Sequence, residues 1–152
     1  METIKFYSEH QKWGEFSNFA LYPVKMNGKT WPTSEHYFQA QKFDNKSYQE
    51  KIRKSASPMK AAELGRSRKV KLKRNWDKIK DNVMYNVVYA KFHQHNELKE
   101  ILFQTFDLKI IEHTENDSYW GDGKDGTGLN KLGKILMKVR EKLKENENNN
   151  TI

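Results

Sequence analysis

Leu129, Leu132, Leu136, Val139 and Leu143 recur at alternating intervals of three and four. That period puts all five on one stripe of an α-helix. Such a stripe has to be covered, so the C-terminal third of the chain needs a partner surface and the rest of the sequence must supply it. A chain of 152 residues has enough material. At this length folding buries roughly 68–70% of the surface exposed by the unfolded chain. The sequence has no cysteine, so disulfides and thiolate metal sites take no part in stabilising that core.

The remaining elements read as a mixture of helices and a few short strands. Ile4 to Tyr7 alternates enough for a strand. Val24 to Trp31 reads as a hairpin, because Asn27-Gly28 supplies the two positive-φ positions of a type I′ turn. Pro32 ends that strand, and Thr33 or Ser34 can cap a helix over Glu35 to Asp44. Further helices are expected over Tyr48 to Lys54, from Ser57-Pro58 to a stop at Gly65, over Trp76 to Phe92 and over Glu97 to Thr105. Leu108 to Glu112 reads as a strand, and the last helix starts near Asn130. The expected fold class is α+β: one helix-rich domain over residues 1–144 with a small antiparallel sheet, followed by a frayed polar tail over 145–152. The N-terminus has no signal-peptide core and no run approaches the ~20 apolar residues of a membrane span. A soluble, cytoplasmic protein with no membrane partner is expected.

The net charge is +8, and its excess is concentrated between Lys51 and Lys80. That segment holds twelve lysines and arginines against Glu63 and Asp77. It reads either as a solvated surface or as a face that attracts phosphate groups, nucleic acid included.

Three constellations have the residue types for chemistry. In Ser34-Glu35-His36-Tyr37-Phe38-Gln39-Ala40-Gln41-Lys42, a helix puts Glu35, Gln39 and Lys42 on one stripe beside apolar Phe38. A carboxyl and an amine so placed can act as proton donor and nucleophile, or can simply be a surface pair. In Met84 to Phe92, Lys91 shares the apolar stripe of Met84, Val87 and Val88. It either snorkels or is buried, in which case its pKa falls and a nucleophilic free amine becomes more abundant. In Trp120-Gly121-Asp122-Gly123-Lys124-Asp125-Gly126-Thr127-Gly128-Leu129-Asn130, a glycine-rich loop leads into a helix. Its backbone can cradle phosphate and Trp120 can stack on a base, or the loop is only a surface turn. It lacks the flanking strand of a dinucleotide fingerprint and the acidic spacing of a calcium loop. His93-x-His95 lacks a third ligand at recognisable spacing, so no metal and no cofactor is expected. No serine elbow or P-loop occurs.

The order of these pieces resembles the NADAR family, also called YbiA-like. The resemblance rests on Phe16-Ser17-Asn18-Phe19, the Ser34 to Lys42 block, Pro58-x-x-Ala61 through Leu64-Gly65-Arg66, and Trp76. It continues with Lys91-Phe92-x-Gln94, Leu102-x-x-Thr105, Glu112, Trp120-Gly121-Asp122-Gly123 and Gly128-x-Asn130-x-Leu132-Gly133 through Arg140. Phe106 departs from the glycine frequent there. The resemblance covers about Ile4 to Leu143 and implies an N-glycosidase that cleaves the bond between a ribose phosphate and a nitrogen base. The implied substrates are ribosylamino-pyrimidine phosphates of early riboflavin biosynthesis or, alternatively, ADP-ribose on guanine in DNA or nucleotides.

Under this resemblance Glu35 handles protons, and Lys42 or Lys91 forms a Schiff base with C1. Asn18, Gln39, Arg66 and Trp76 are expected to contact substrate. So are Glu112, Trp120, Gly121, Asp122 and Gly123. The N-terminal turn of the helix from Asn130, with Arg140 or Arg66, is expected to bind phosphate. A non-catalytic module binding ADP-ribose or nucleic acid through residues 51–80 is the competing class.

Overall fold

The computed structural model describes residues 2–150. Along the chain run β1 (Thr3–Phe6), a 3-10 turn (Gly14–Phe16), β2 (Val24–Met26), β3 (Lys29–Trp31), α1 (Ser34–Ala40), α2 (Lys46–Arg53), α3 (Pro58–Arg66), α4 (Trp76–Gln94), α5 (Asn96–Phe103), β4 (Lys109–Glu112) and α6 (Lys131–Asn150). The class is α+β. These elements fall into two compact units, one formed by the residues up to Ser17 and from Phe92 onward, the other by Asn18–Lys91.

In the first unit β1 and β4 pair in parallel, with Ile4 opposite Ile110 and Phe6 opposite Glu112. The expected sheet is antiparallel, as the β2–β3 hairpin is, whereas β1 and β4 form a parallel pair. The alternation of Ile4 and Phe6 inward with Thr3 and Lys5 outward is that of a half-buried strand. Beside β4 lies α6, which buries Leu132, Leu136, Val139 and Leu143. Leu129, the first member of the predicted stripe, precedes the helix and is half exposed. Each fully buried leucine of this stripe contributes roughly 1.5–3 kcal/mol relative to exposure. Of residues 145–152, expected as a polar tail, 145–150 continue α6 instead, and 151–152 lie outside the described residues. Residues 145–150 contain no glycine or proline, and Glu147 forms a 3.0 Å ion pair with Lys99 of α5.

In the second unit the Asn27-Gly28 turn has φ of 56° and 74°, as a type I′ hairpin requires. Thr33 caps α1 by accepting the His36 N–H at 3.2 Å. All seven residues of α1 are buried, so polar side chains on it need internal partners. His36 finds two: Nδ1 meets Thr33 Oγ1 at 2.8 Å and Nε2 meets the Ser55 carbonyl at 3.2 Å. Nε2 must donate to that carbonyl, so Nδ1 accepts from the threonine hydroxyl. Burial lowers the His36 pKa and favours this neutral tautomer, against the opposing pull of the Ser55 carbonyl.

Candidate active site

The sequence predicts a first helix to Asp44, but α1 stops at Ala40. The cause is the chain beyond α3. Lys73 N–H donates to the Lys42 carbonyl at 2.8 Å, and Phe43 forms an antiparallel bridge with Leu72. Gln41 still has right-handed helical angles. Lys42 therefore stays near Phe38, its Nζ 5.9 Å from the ring centroid.

Glu35 is 8% exposed. Its Oε2 accepts from Gln39 Nε2 at 2.8 Å, the i, i+4 contact that the spacing implies. Lys42 is held to a pKa of about 8. Desolvation is the main cause; the Glu35 carboxylate opposes it, and Arg68, Arg66 and Lys80 add to the lowering. The like charges that depress Lys42 thus come from α3, the loop after it and α4. Arg68 and Lys80 were not among the predicted site residues, because nothing in linear spacing ties them to Lys42.

Lys91 is buried at 1% exposure and does not snorkel. Its Nζ lies 6.0 Å from the Tyr22 ring centroid, where the ring's negative face favours a cation. Trp76 is also buried, and its ring packs on Phe38 at 5.2 Å. It supports the apolar side of the Glu35–Lys42 face. Asn18 anchors the start of α1. Its carbonyl accepts from Glu35 N–H at 3.2 Å, and its Oδ1 accepts from Ser34 Oγ at 2.7 Å. Arg66, at the end of α3, is exposed and available to an anion. A pocket of about 250 Å³ near the Phe43–Leu72 bridge is lined by Asp44, Asn45, Val70, Lys71, Leu72 and Arg74. Glu35 and Lys42 do not line it.

The glycine loop belongs to the first unit and is knotted onto the end of β4. Asp122 N–H donates to the Glu112 carbonyl at 2.9 Å, Lys131 N–H to Tyr119 at 3.1 Å and Leu132 N–H to Trp120 at 2.9 Å. Two of the amides expected to cradle phosphate, those of Lys131 and Leu132 at the start of α6, are therefore already bonded. Gly121 fits because a Cβ there would overlap Thr114 and the Glu112 carbonyl, whereas Gly123 has a φ of 71°. Trp120 is half-buried, edge-on to Tyr119 at 4.8 Å.

Two residues expected to help bind phosphate instead hold groups of the protein itself. Asn130 Oδ1 accepts from Glu112 N–H at 3.0 Å, and its Nδ2 donates to the Ile110 carbonyl at 2.9 Å. Arg140 Nη1 donates to Thr105 Oγ1 and the Leu108 carbonyl, both at 2.8 Å. Asn130→Ala removes the partner of one buried and one part-buried backbone group of β4, at up to about 1–3 kcal/mol each. Thermal unfolding should show a drop of several degrees in Tm.

Asp122 has a partner that the sequence did not suggest. Its Oδ2 lies 2.8 Å from His113 Nδ1, and its Oδ1 accepts from Thr114 N–H at 3.1 Å. Burial pushes the Asp122 carboxyl up, but these bonds and the nearby positive charge of His113 and Lys5 outweigh it, and the net shift is downward. Among the described residues there is no group of three His, Asp or Glu able to hold a metal, and no helix long and apolar enough to cross a membrane.

Residues 5–144 match the NADAR domain family. The chain is 55% identical over 140 residues to N-glycosidase YbiA of Escherichia coli (strain K12), covering 92% of this chain and 88% of that protein. It is 40% identical over 144 residues to a riboflavin biosynthesis protein of Vibrio vulnificus, covering 95% of this chain and 39% of that longer protein. The NMR structure of E. coli YbiA superposes with a TM-score of 0.89 at 53% identity, over 95% of this chain and 86% of that one.

Proposed function

The chain belongs to the NADAR domain family, and from that premise we propose that its N-glycosidase reaction is carried out by Glu35 and Lys42 on a ribosylamino-pyrimidine phosphate. The enzyme class is that of its named relatives: a hydrolase of N-glycosyl bonds. The substrate follows the riboflavin biosynthesis relatives and the cationic surroundings of Lys42.

The observation that carries the reading is a carboxylate and a pKa-lowered amine on one short stretch of chain. Protonation of the ring oxygen opens the ribose to an iminium between C1 and the base nitrogen. Lys42 Nζ adds to C1. A proton delivered to the base nitrogen lets the C1–N bond break, and the base leaves. Lys42 is then joined to C1 as an imine. Water adds there, the sugar phosphate departs as an aldehyde, and the amine is regenerated. Glu35 moves the protons.

The pair needs one proton between its two members, free amine with carboxylic acid, or its tautomer, ammonium with carboxylate. Lowering Lys42 from 10.5 to about 8 raises the share of the reactive tautomer by roughly 300-fold at a fixed carboxyl pKa. The expected profile of kcat/KM is a bell. Its alkaline limb lies near pH 8, where the pair loses its only proton, and its acid limb is the gain of a second proton by the pair, after which no free amine remains. Lys91, at 1% exposure, is the second choice of nucleophile.

Arg66 and Arg68, with Lys80, form the phosphate anchor in this reading. Each charge-assisted bond is worth about 1.5–3 kcal/mol. Arg66→Ala with Arg68→Ala should therefore raise KM by roughly 10–100-fold or more. Lys42 also loses two like charges, so the alkaline limb moves to higher pH. Steady-state kinetics over pH 5–10 read both effects.

A second reading, removal of ADP-ribose from guanine, is favoured by the exposed basic residues Arg66, Arg68, Lys69, Lys71, Arg74 and Lys78. Salt separates the two. Turnover of a nucleic-acid substrate falls steeply between about 50 and 200 mM salt, whereas that of a small phosphosugar falls little. Incubation with each substrate and detection of the released sugar tests the assignment directly.

A further inference from the structure

Gln39 is expected from the resemblance to contact substrate; its amide contacts Glu35 and α3. The residue is 7% exposed. Its Nε2 donates to Glu35 Oε2 at 2.8 Å, while Oε1 is buried with no hydrogen-bond partner. Oε1 faces the backbone of α3: a Cβ built at Gly65 would overlap the Gln39 amide oxygen.

Both residues are costly unless the arrangement has a purpose. A buried unpaired acceptor is unfavourable, and an apolar side chain of the same length would avoid it. Gly65 lies inside α3 without the positive φ that favours glycine. In a helix interior it is a poorer choice than alanine. Space for the Gln39 amide accounts for the glycine, and the bond to Glu35 accounts for the glutamine.

We propose that Gln39 is a positioning residue, seated on Gly65, that holds the Glu35 carboxyl with Oε2 as an acceptor and so keeps the transferable proton on Oε1. This rests on the reading of Glu35 as the group that moves protons. The amide directs an N–H at Oε2, and the carbonyl oxygen of a carboxylic acid accepts such a bond better than its hydroxyl oxygen does. When Glu35 is the acid, its hydrogen therefore sits on the other oxygen, in one place for each turnover. The same N–H stabilises the carboxylate and keeps the acid limb of the rate profile low.

The test uses Gln39→Met, Gln39→Ala, Gly65→Ala and the double variant Gln39→Ala/Gly65→Ala. Gln39→Met should lower kcat by about 10–100-fold, the loss of one hydrogen bond to a charged group. KM should stay within about twofold, Tm should be unchanged or higher, and the acid limb should move to higher pH. A lower Tm with an unmoved limb would mean a merely structural glutamine and would overturn the proposal.

Gly65→Ala should lower Tm and displace the same limb in the wild-type background. With Gln39→Ala already in place it should raise Tm, because alanine is the better helix former. An equal loss of Tm in both backgrounds would refute the seat. The thermal cycle does not depend on catalysis. If Glu35→Gln kept its activity while the cycle behaved as stated, the catalytic reading would fail and the seating of Gln39 on Gly65 would stand.

Discussion

Glu35→Gln lowers kcat by about 10²–10⁴-fold, the usual contribution of a positioned proton donor, and leaves Tm within a few degrees of wild type. The substitution is nearly isosteric. Gln39 Nε2 can still donate to an oxygen at position 35, so the contact at 2.8 Å survives. The hydrogen bonds that start α1 involve Asn18, Ser34 and backbone atoms, none of which changes. What is lost is a group that can both give and take a proton. The acid limb of the pH profile should vanish with it. Steady-state kinetics at pH 5–9, beside a thermal melt, check both. A variant with more than a tenth of wild-type kcat would remove Glu35 from the mechanism.

Lys42→Met has the second large effect, a fall of roughly 10³-fold or more in kcat, because a nucleophile already held against C1 is replaced by water at best. Methionine keeps most of the stem that lies over Phe38. The fold should not suffer. The folded pKa of Lys42 lies below its unfolded value, so the unfolded chain binds more protons between about pH 8 and 10.5. Stability attributable to this group therefore rises with pH across that window, and below it the buried ammonium is a full burden. Removing it should leave Tm at pH 7 unchanged or higher. A loss of only about tenfold would mean that Lys42 supplies charge rather than a covalent bond, and that water attacks C1 directly.

Local signals in the sequence carried through to the structure, and long-range ones were invisible. The Asn27-Gly28 turn and the caps at Thr33 and Ser57 depend on neighbours three or four residues away, and each forms as its residue types dictate. The Glu35–Gln39 contact has the same origin. The parallel pairing of β1 with β4 joins segments about a hundred residues apart, and no periodicity within either strand encodes that partner. The early end of α1 likewise depends on Lys73 and Leu72.

The candidate site divides in the same way. The Glu35–Gln39 contact was legible because helical spacing ties the two together, whereas Lys42 lies just beyond the end of α1. The cations Arg68 and Lys80 were not, since they reach Lys42 from other segments. Asn130 and Arg140 have residue types suited to anions, but their atoms are used by β4, Thr105 and Leu108. Residue type alone cannot distinguish a hydrogen bond to a ligand from one to the protein's own backbone. Gly65 was read as a helix stop, but it sits within α3 as a gap for a side chain.

Borohydride reduction during turnover of a ribosylamino-pyrimidine phosphate, followed by peptide mapping, probes the amine at the moment it holds the sugar. The account predicts one reduced sugar-phosphate adduct, on Lys42, absent from Lys42→Met and greatly diminished in Glu35→Gln. An adduct on Lys91, or steady release of base with no adduct on any lysine, would contradict it.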